Sequence, residues 1–185
     1  LAMQNKEREQ KQKIRKEILK KLRNQSGREK KKKSEIIKKK VFALTQFQKA
    51  KRIGFYASKE EEVDTWGIMR EVLIAKKIAL PSVGKKELVL SYVRNLDELK
   101  KGFYGIYEPK SPLNVAKLDE LDLIIVPGVA FDLLNNRLGR GVGYYDQLLK
   151  KADSIFKLGL GFDFQLVEKL PVDSNDVAMD KVITN

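Results

Sequence analysis

The sequence predicts an α/β fold, a single three-layer domain in which a mainly parallel sheet carries helices on both faces and an N-terminal basic helical hairpin packs on it. Three observations lead to this prediction. After residue 52, short apolar runs alternate with helical patterns, which is typical of parallel sheets with crossover helices. Residues 121–127 read LDLIIVP, an almost continuously apolar run, as expected for a strand covered on both faces. The length of 185 residues suits one domain, which we take to span 1–185.

The basic hairpin is predicted from helical spacing and a capping signal. Apolar residues recur along 14–22 among charged ones, which indicates an amphipathic helix docked on the body. Residues 1–10 are the part of this helix expected to fray. Ser26 and Glu29 have the spacing of a capping box, and a second helix follows with apolar positions along 37–44 turned inward.

The remaining elements are predicted from changes in the spacing of apolar residues and from residues that favour turns. Asp64 is expected to cap a helix that turns Met69, Leu73 and Ile74 inward. Asn135 and the asparagine after it tolerate positive φ and predict a small hairpin turn. Strands are predicted at 53–57, 78–83, 88–93, 121–127, 156–161 and 182–184. Helices or helical turns are predicted at 95–100, 143–152 and 165–169.

Composition restricts the chemistry that is open to the chain. The sequence has no cysteine and no histidine, which removes disulfides, thiolate nucleophiles, Cys/His zinc sites and imidazole acid–base catalysis. Phosphoryl transfer is the chemistry least affected by the absence of these side chains, because it depends on positioning and electrostatics. No apolar run approaches the roughly 18 residues of a membrane span, and the lysine-rich start lacks the apolar core of a secretory signal. We therefore expect a cytoplasmic protein without a membrane partner.

The positive charge of the chain is concentrated at one end. The net charge is +13, but residues 1–52 hold 20 Lys and Arg against 5 Asp and Glu, and the rest of the chain has a net charge of −2. The basic segment leaves open a nucleic-acid-binding protein. The nearly neutral body argues against that alternative.

The most informative segment is residues 137–146, which read RLGRGVGYYD. Three glycines let the backbone approach a ligand closely. Two arginines and the amides of a glycine-rich turn opening a helix suit phosphate oxygens. Asp146, in the first turn of that helix, could hold magnesium beside phosphates. On these residues alone, a tight turn with solvated arginines and a different ATP-dependent phosphotransferase both remain open.

Several separated segments together resemble the 5-formyltetrahydrofolate cyclo-ligase family, also called 5,10-methenyltetrahydrofolate synthetases. The resemblance covers the chain from Lys11 onward, and the block from 123 to 146 is its most specific part. The matching segments are Lys11-x-x-x-Arg15, EVDT at 62–65, YGIYEP at 104–109, LIIVPGVAFD at 123–132, RLGRGVGYYD at 137–146, GLGFDFQ at 159–165 and DVAMD at 176–180.

The resemblance implies an enzyme that uses ATP to close 5-formyltetrahydrofolate into 5,10-methenyltetrahydrofolate, with release of ADP and phosphate. In that scheme the formyl oxygen is phosphorylated, N10 attacks the activated carbon and phosphate leaves. The implied ligands are therefore ATP, magnesium and a reduced folate that can carry a polyglutamate tail. We expect a monomer that does not bind nucleic acid.

The resemblance also implies roles for individual residues. Those expected to be catalytic are Arg140, Lys11 and Arg137. Those expected to bind ATP are Lys11, Arg15, Arg137, Leu138, Gly139, Arg140, Gly141, Val142, Gly143, Tyr144 and Tyr145. Those expected to bind the folate are Arg15, Ala57, Glu62, Tyr104, Arg140, Gly141, Val142, Gly143 and Tyr144. Asp146 and Asp180 are expected to bind magnesium.

Overall fold

The computed structural model describes residues 2–84, 87–102, 105–111 and 114–185. Its helices are α1 (Ala2–Asn24), α2 (Gly27–Ala43), α3 (Thr45–Lys49), α4 (Trp66–Val72) and α5 (Tyr144–Lys150). Single 3-10 turns occur at Leu96–Glu98, Leu118–Glu120 and Asp163–Gln165. None of the described helices combines the length and the apolar character that a membrane crossing requires.

The strands form one large sheet and two small ones. They are β1 (Arg52–Gly54), β2 (Lys77–Val83), β3 (Leu88–Val93), β4 (Leu99–Lys101), β5 (Tyr107–Pro109), β6 (Leu123–Pro127), β7 (Ala130–Asp132), β8 (Arg137–Leu138), β9 (Phe156–Leu160), β10 (Leu166–Val167) and β11 (Lys181–Ile183). The large sheet has the order β11-β9-β6-β1-β2-β3. All its pairs are parallel except β2 with β3, so the predicted mainly parallel sheet is confirmed.

Alternate side chains of β6 show why the domain has three layers. Leu123 and Ile125 pack in the core formed with α1, α2 and α4, whereas Ile124 and Val126 pack in the core that contains α5. Successive residues of a strand point to opposite faces. A strand buried on both faces therefore needs the continuous apolar run on which its prediction rested.

The basic hairpin packs as the helical spacing predicts. Ile18 and Leu22 of α1 are buried, as are Ile37 and Val41 of α2. The Ser26 hydroxyl accepts a hydrogen bond from the Glu29 amide at 3.2 Å and caps α2. The helix α1 begins at Ala2, so it includes most of the residues that were expected to fray. The expected fraying itself stays a prediction.

Two local predictions were wrong. Ile74 was expected to face inward but is 92% exposed, because α4 ends at Val72 and the chain turns before the helical period reaches this residue. A helix was expected at 165–169. The chain instead makes a 3-10 turn and then pairs Leu166–Val167 with β7, and this backbone pairing overrides a weak local helix signal.

The hairpin of β7 and β8 leads directly into the glycine-rich segment and holds its first residues in place. Asn135 takes a φ of 63° at its turn, as the asparagine pair predicts. Asp132, which is 1% exposed, accepts hydrogen bonds from the amides of Leu134, Asn136 and Leu170 and from the Asn136 side chain, at 2.9–3.0 Å. One buried carboxylate thus fixes the hairpin that carries Arg137.

Candidate active site

The glycine-rich segment is a loop between β8 and α5. It runs from Gly139 to Gly143, and α5 begins at Tyr144. Gly141 has a φ of 103° and Gly143 a φ of 81°. A side chain at either position would be strained in this left-handed region. The glycines are therefore required by the path of the backbone, as the sequence suggested.

Arg137 is buried beneath this loop. Its Nη1 donates to the Pro127 carbonyl at 3.0 Å, and its Nη2 donates to Oδ1 of Asp146 at 2.9 Å. The side chain is 3% exposed, and its guanidinium lies 5.7 Å from the ring centroid of Tyr145. Arg137 thus joins the end of β6 to the start of α5, and it is not the solvated cation of an ordinary turn.

Arg140 is much more exposed than Arg137. Its side chain is 40% exposed, and its Nη2 is 3.0 Å from Oε1 of Glu61 and 2.7 Å from Oε1 of Glu62. Burial alone would lower the pKa of Arg140, but the bonds and charges of the two glutamates raise it above its usual value. The loop is therefore connected by ion pairs to the segment that follows β1.

The first helix places two cations beside the loop. Arg15 donates from Nε to the Gly139 carbonyl at 2.8 Å. Lys11 donates to Oδ2 of Asp173 at 2.8 Å and to Oδ2 of Asp176 at 2.5 Å. Burial would lower the pKa of Lys11, yet the bonds to the two aspartates raise it. Lys11 consequently stays charged, but its charge is already neutralised by protein carboxylates.

An apolar cavity of about 150 Å³ lies on one side of the loop. Burial raises the pKa values of Tyr56 and Tyr145 in its wall, so both phenols keep their protons at neutral pH. The lining residues are Leu22, Tyr56, Ala57, Lys59, Glu62, Pro81, Val83, Leu88, Ile106, Glu108, Pro127, Gly128, Val129, Arg137, Gly139, Arg140, Val142, Gly143, Tyr144, Tyr145 and Asp146.

A larger polar cavity of about 550 Å³ lies on the other side. Its wall combines basic and acidic side chains of α1, α5 and the segment before β11. The lining residues are Glu7, Arg8, Lys11, Arg15, Leu138, Gly139, Gly141, Gly143, Asp146, Gln147, Lys150, Asp173, Ser174, Asn175 and Asp176. Gly139, Gly143 and Asp146 line both cavities, so the loop, together with the first turn of α5, forms a partition between them.

The structure brings most of the predicted site residues together and divides them between the cavities. Lys11, Arg15, Leu138 and Gly141 line the polar cavity only. The residues that line the apolar cavity only are Ala57, Glu62, Arg137, Arg140, Val142, Tyr144 and Tyr145. Tyr104 lies outside the described residues. The roles assigned to all these residues stay predictions, but their common location agrees with one site.

The two predicted metal ligands are not equivalent. Asp146 lines both cavities, whereas Asp180 lines neither. Asp180 accepts a hydrogen bond from the Lys157 amide at 2.6 Å and so fixes the start of β11 against β9. Within the described residues, no three acidic side chains come close enough together to hold a metal ion. The structure therefore supports Asp146 as a candidate ligand and gives Asp180 a structural contact, and both metal roles stay predictions.

Sequence reasoning missed several residues of the site. Asp173 and Asp176 form ion pairs with Lys11. Tyr56 and Lys59 line the apolar cavity, and Glu61 forms an ion pair with Arg140. Asp176 begins the DVAMD segment but had no role assigned to it. The others give no local signal, because their importance depends on contacts between residues far apart in the chain.

The fold and the site define an α/β protein in which a glycine-rich, arginine-bearing loop separates two ligand cavities. Known proteins are similar to this chain in sequence and in fold. A family model for the 5-formyltetrahydrofolate cyclo-ligase family matches residues 7–185. A 5-formyltetrahydrofolate cyclo-ligase of Mus musculus is 32% identical over 184 residues, covering 92% of this chain and 91% of the relative.

Solved structures agree with these matches. The NMR structure of Aquifex aeolicus 5,10-methenyltetrahydrofolate synthetase has a TM-score of 0.86 and 38% identity, covering 94% of this chain and 89% of that one. A 5,10-methenyltetrahydrofolate synthetase from Mycoplasma pneumoniae has a TM-score of 0.76 and 27% identity, covering 94% and 97%. The chain therefore belongs to the 5-formyltetrahydrofolate cyclo-ligase family, and as a member of that family it is a ligase.

Proposed function

We propose that this chain closes 5-formyltetrahydrofolate into 5,10-methenyltetrahydrofolate at the expense of ATP. The observation that carries the proposal is the partition formed by the glycine-rich loop, because Gly139, Gly143 and Asp146 line both cavities. A nucleotide in the polar cavity and an acceptor in the apolar cavity would meet across this loop. Such juxtaposition supplies the positioning that phosphoryl transfer needs.

The apolar cavity suits a reduced folate. Its wall is mostly apolar and aromatic, as expected for a site that holds flat ring systems. Glu62 lines this cavity, and its carboxylate can accept hydrogen bonds from the N–H groups of a pterin edge. The neutral phenols of Tyr56 and Tyr145 add hydrogen-bonding groups without charge.

The polar cavity suits the triphosphate of ATP. Arg15 lies against the loop, and Gly141 and Gly143, which line this cavity, let the backbone come close to phosphate oxygens. Magnesium usually takes one or two protein carboxylates together with phosphates and water. Asp146 fits that pattern as a single carboxylate on the partition. Magnesium bound there would neutralise charge on the phosphates.

In the proposed reaction the γ-phosphoryl group moves to the formyl oxygen, N10 attacks the formyl carbon and phosphate leaves. An amide oxygen is a poor leaving group, and its phosphorylation removes this barrier. Arg140 is the guanidinium on the loop that reaches the apolar cavity, and we assign it the stabilisation of charge that develops at the transferred group. Arg137 and Lys11 are held by protein partners, and we assign them to the positioning of the loop and of α1.

The test is an absorbance assay for methenyltetrahydrofolate, run with 5-formyltetrahydrofolate in the presence and absence of magnesium and ATP. We expect product only with both. Absence of product from folded protein under all conditions would refute the proposal. ATP turnover that depends on sugars or carboxylates instead would identify a different phosphotransferase.

Arg140→Ala with Arg94→Ala as a matched control tests the assigned role. Both arginines are exposed, but Arg94 lines neither cavity. We expect Arg140→Ala to lower kcat by about 10²–10³-fold, the usual effect of losing a preorganised charge-stabilising donor, and Arg94→Ala to leave kcat unchanged. Equal activity of the two variants would remove Arg140 from the mechanism.

A further inference from the structure

Arg140 shares one guanidinium nitrogen between two adjacent carboxylates. Its Nη2 lies 3.0 Å from Oε1 of Glu61 and 2.7 Å from Oε1 of Glu62. Neighbouring carboxylates repel each other, and the guanidinium placed between them offsets part of this repulsion. Burial would raise the pKa of Glu61, but a backbone hydrogen bond and the bond and charge of Arg140 hold it below its usual value. The three side chains therefore form one electrostatic unit.

The two carboxylates differ in what they face. Glu62 lines the apolar cavity and is 16% exposed, whereas Glu61 does not line it and is 26% exposed. Oε2 of Glu62 also accepts a hydrogen bond from the Lys59 amide at 3.0 Å, which fixes the carboxylate toward the cavity. A ligand with N–H donors in the cavity would thus meet Glu62 and compete with Arg140 for it.

We infer that Glu61 is a positioning residue, which keeps Arg140 at the cavity mouth when a substrate takes the carboxylate of Glu62. This inference rests on the proposed function. With one partner only, Arg140 would lose its ion pair each time that substrate bound. With two partners, Arg140 gives up its contact with Glu62 but keeps its contact with Glu61. Its guanidinium therefore stays beside the loop, where the transferred group arrives.

Glu61→Gln tests this inference, with Glu60→Gln as the matched control. Both changes remove one negative charge from adjacent residues, but the side chain of Glu60 is exposed and makes no ion pair among the described residues. We expect Glu61→Gln to raise KM for 5-formyltetrahydrofolate about threefold to tenfold, because Arg140 then competes more strongly for Glu62, and to lower kcat by a similar factor, because Arg140 is held less firmly beside the transferred group. KM for ATP should change less than twofold, and Glu60→Gln should match the wild type.

The Arg140→Ala background separates positioning from other roles. If Glu61 acts through Arg140, Glu61→Gln has no further effect on KM or kcat in that background. If Glu61→Gln only destabilised the fold, the loss of stability would also occur in the Arg140→Ala background, and KM of the folded enzyme would not change. Glu61→Asp, which keeps the charge but shortens the side chain, should give an intermediate KM.

Binding of 5-formyltetrahydrofolate without ATP, measured by calorimetry, distinguishes the possible failures. If the wild type binds and Glu61→Gln behaves like Glu60→Gln, the inference is overturned and the proposed function stands. An effect of Glu61→Gln that persists in Arg140→Ala also overturns it. If the wild type neither binds the folate nor forms product, the proposed function fails and the inference fails with it.

Discussion

Two arginines three residues apart have different structural environments, although the sequence suggests the same role for both. Arg137 is buried against Pro127 and Asp146, whereas Arg140 is exposed and paired with Glu61 and Glu62. A planar guanidinium suits both positions. Burial decides that one of them supports the loop and the other can meet a ligand.

Arg137→Ala is expected to destabilise the protein by about 1–3 kcal/mol, because it leaves the half-buried Asp146 carboxylate and the Pro127 carbonyl without their donor. Urea unfolding followed by circular dichroism measures this loss. Arg140→Ala should lower the free energy of unfolding by less than about 1 kcal/mol, since a partly exposed ion pair contributes little. Equal losses in the two variants would contradict the distinction drawn from burial.

Asp132 gives a pH-dependent prediction. Burial would raise the pKa of Asp132, but its hydrogen bonds from Asn136, Leu170 and Leu134 lower it below the ordinary value of 3.8. A carboxylate with a lowered folded-state pKa stabilises the fold fully above its unfolded pKa and loses that contribution as pH falls through the folded value. Asp132→Asn should cost about 1–3 kcal/mol near pH 7.

Urea unfolding of wild type and Asp132→Asn between pH 7 and pH 2 measures this contribution. The difference in unfolding free energy should stay constant above about pH 5 and shrink below about pH 4, because the carboxylate is protonated first in the unfolded chain and, at lower pH, in the folded protein as well. Asp153→Asn is the control, because Asp153 is exposed. A difference that does not change with pH would show that the charge of Asp132 contributes nothing.

At the scale of elements, the sequence predicts what depends on local pattern and misses what depends on distant contacts. The capping residue Ser26, the apolar run of β6 and the turn at Asn135 each carry a local signal that the structure confirms. The 165–169 segment pairs with β7 instead of forming a helix. The pairing partner is more than 30 residues away, so no local propensity could reveal it.

The cap of α2 tests one of these local signals. Ser26→Ala removes the acceptor of the Glu29 amide and should lower the free energy of unfolding by about 1 kcal/mol, whereas Ser26→Asp should restore most of it. Thermal unfolding of both variants measures the change. Ser154→Ala is the control at an exposed serine, and a loss as large as that of Ser26→Ala would argue against the capping role.

At the scale of the whole molecule, the candidate site lies where three distant parts of the chain meet. The loop at 139–143 connects β8 to α5, Lys11 and Arg15 come from α1, and Asp173 and Asp176 come from the segment before β11. The glycines and arginines could be found in the sequence, because their composition is unusual for a core segment. The aspartates that hold Lys11 could not, since exposed acidic residues are common and only the fold brings these two to α1.

The uneven charge of the molecule predicts how its activity responds to salt. Residues 1–52 carry a net charge of +15 against −2 for the rest, and α1 borders the polar cavity. A positive field at a cavity mouth raises the rate at which anions arrive, and salt screens it over a Debye length of about 10 Å at 0.1 M. We expect kcat/KM for ATP to fall about tenfold between low and 0.5 M salt with little change in kcat.

Charge reversal locates the source of this field. Lys13 and Lys16 are exposed on α1, near Lys11 and Arg15 but outside the polar cavity. The double variant Lys13→Glu/Lys16→Glu should lower kcat/KM for ATP at low salt and flatten its salt dependence, because it cancels charge close to the cavity. Lys110→Glu/Lys117→Glu makes the same charge change on the nearly neutral body and should alter neither. If both double variants reduced kcat/KM equally, net charge alone would explain the salt effect, and the position of the basic hairpin beside the polar cavity would have no part in it.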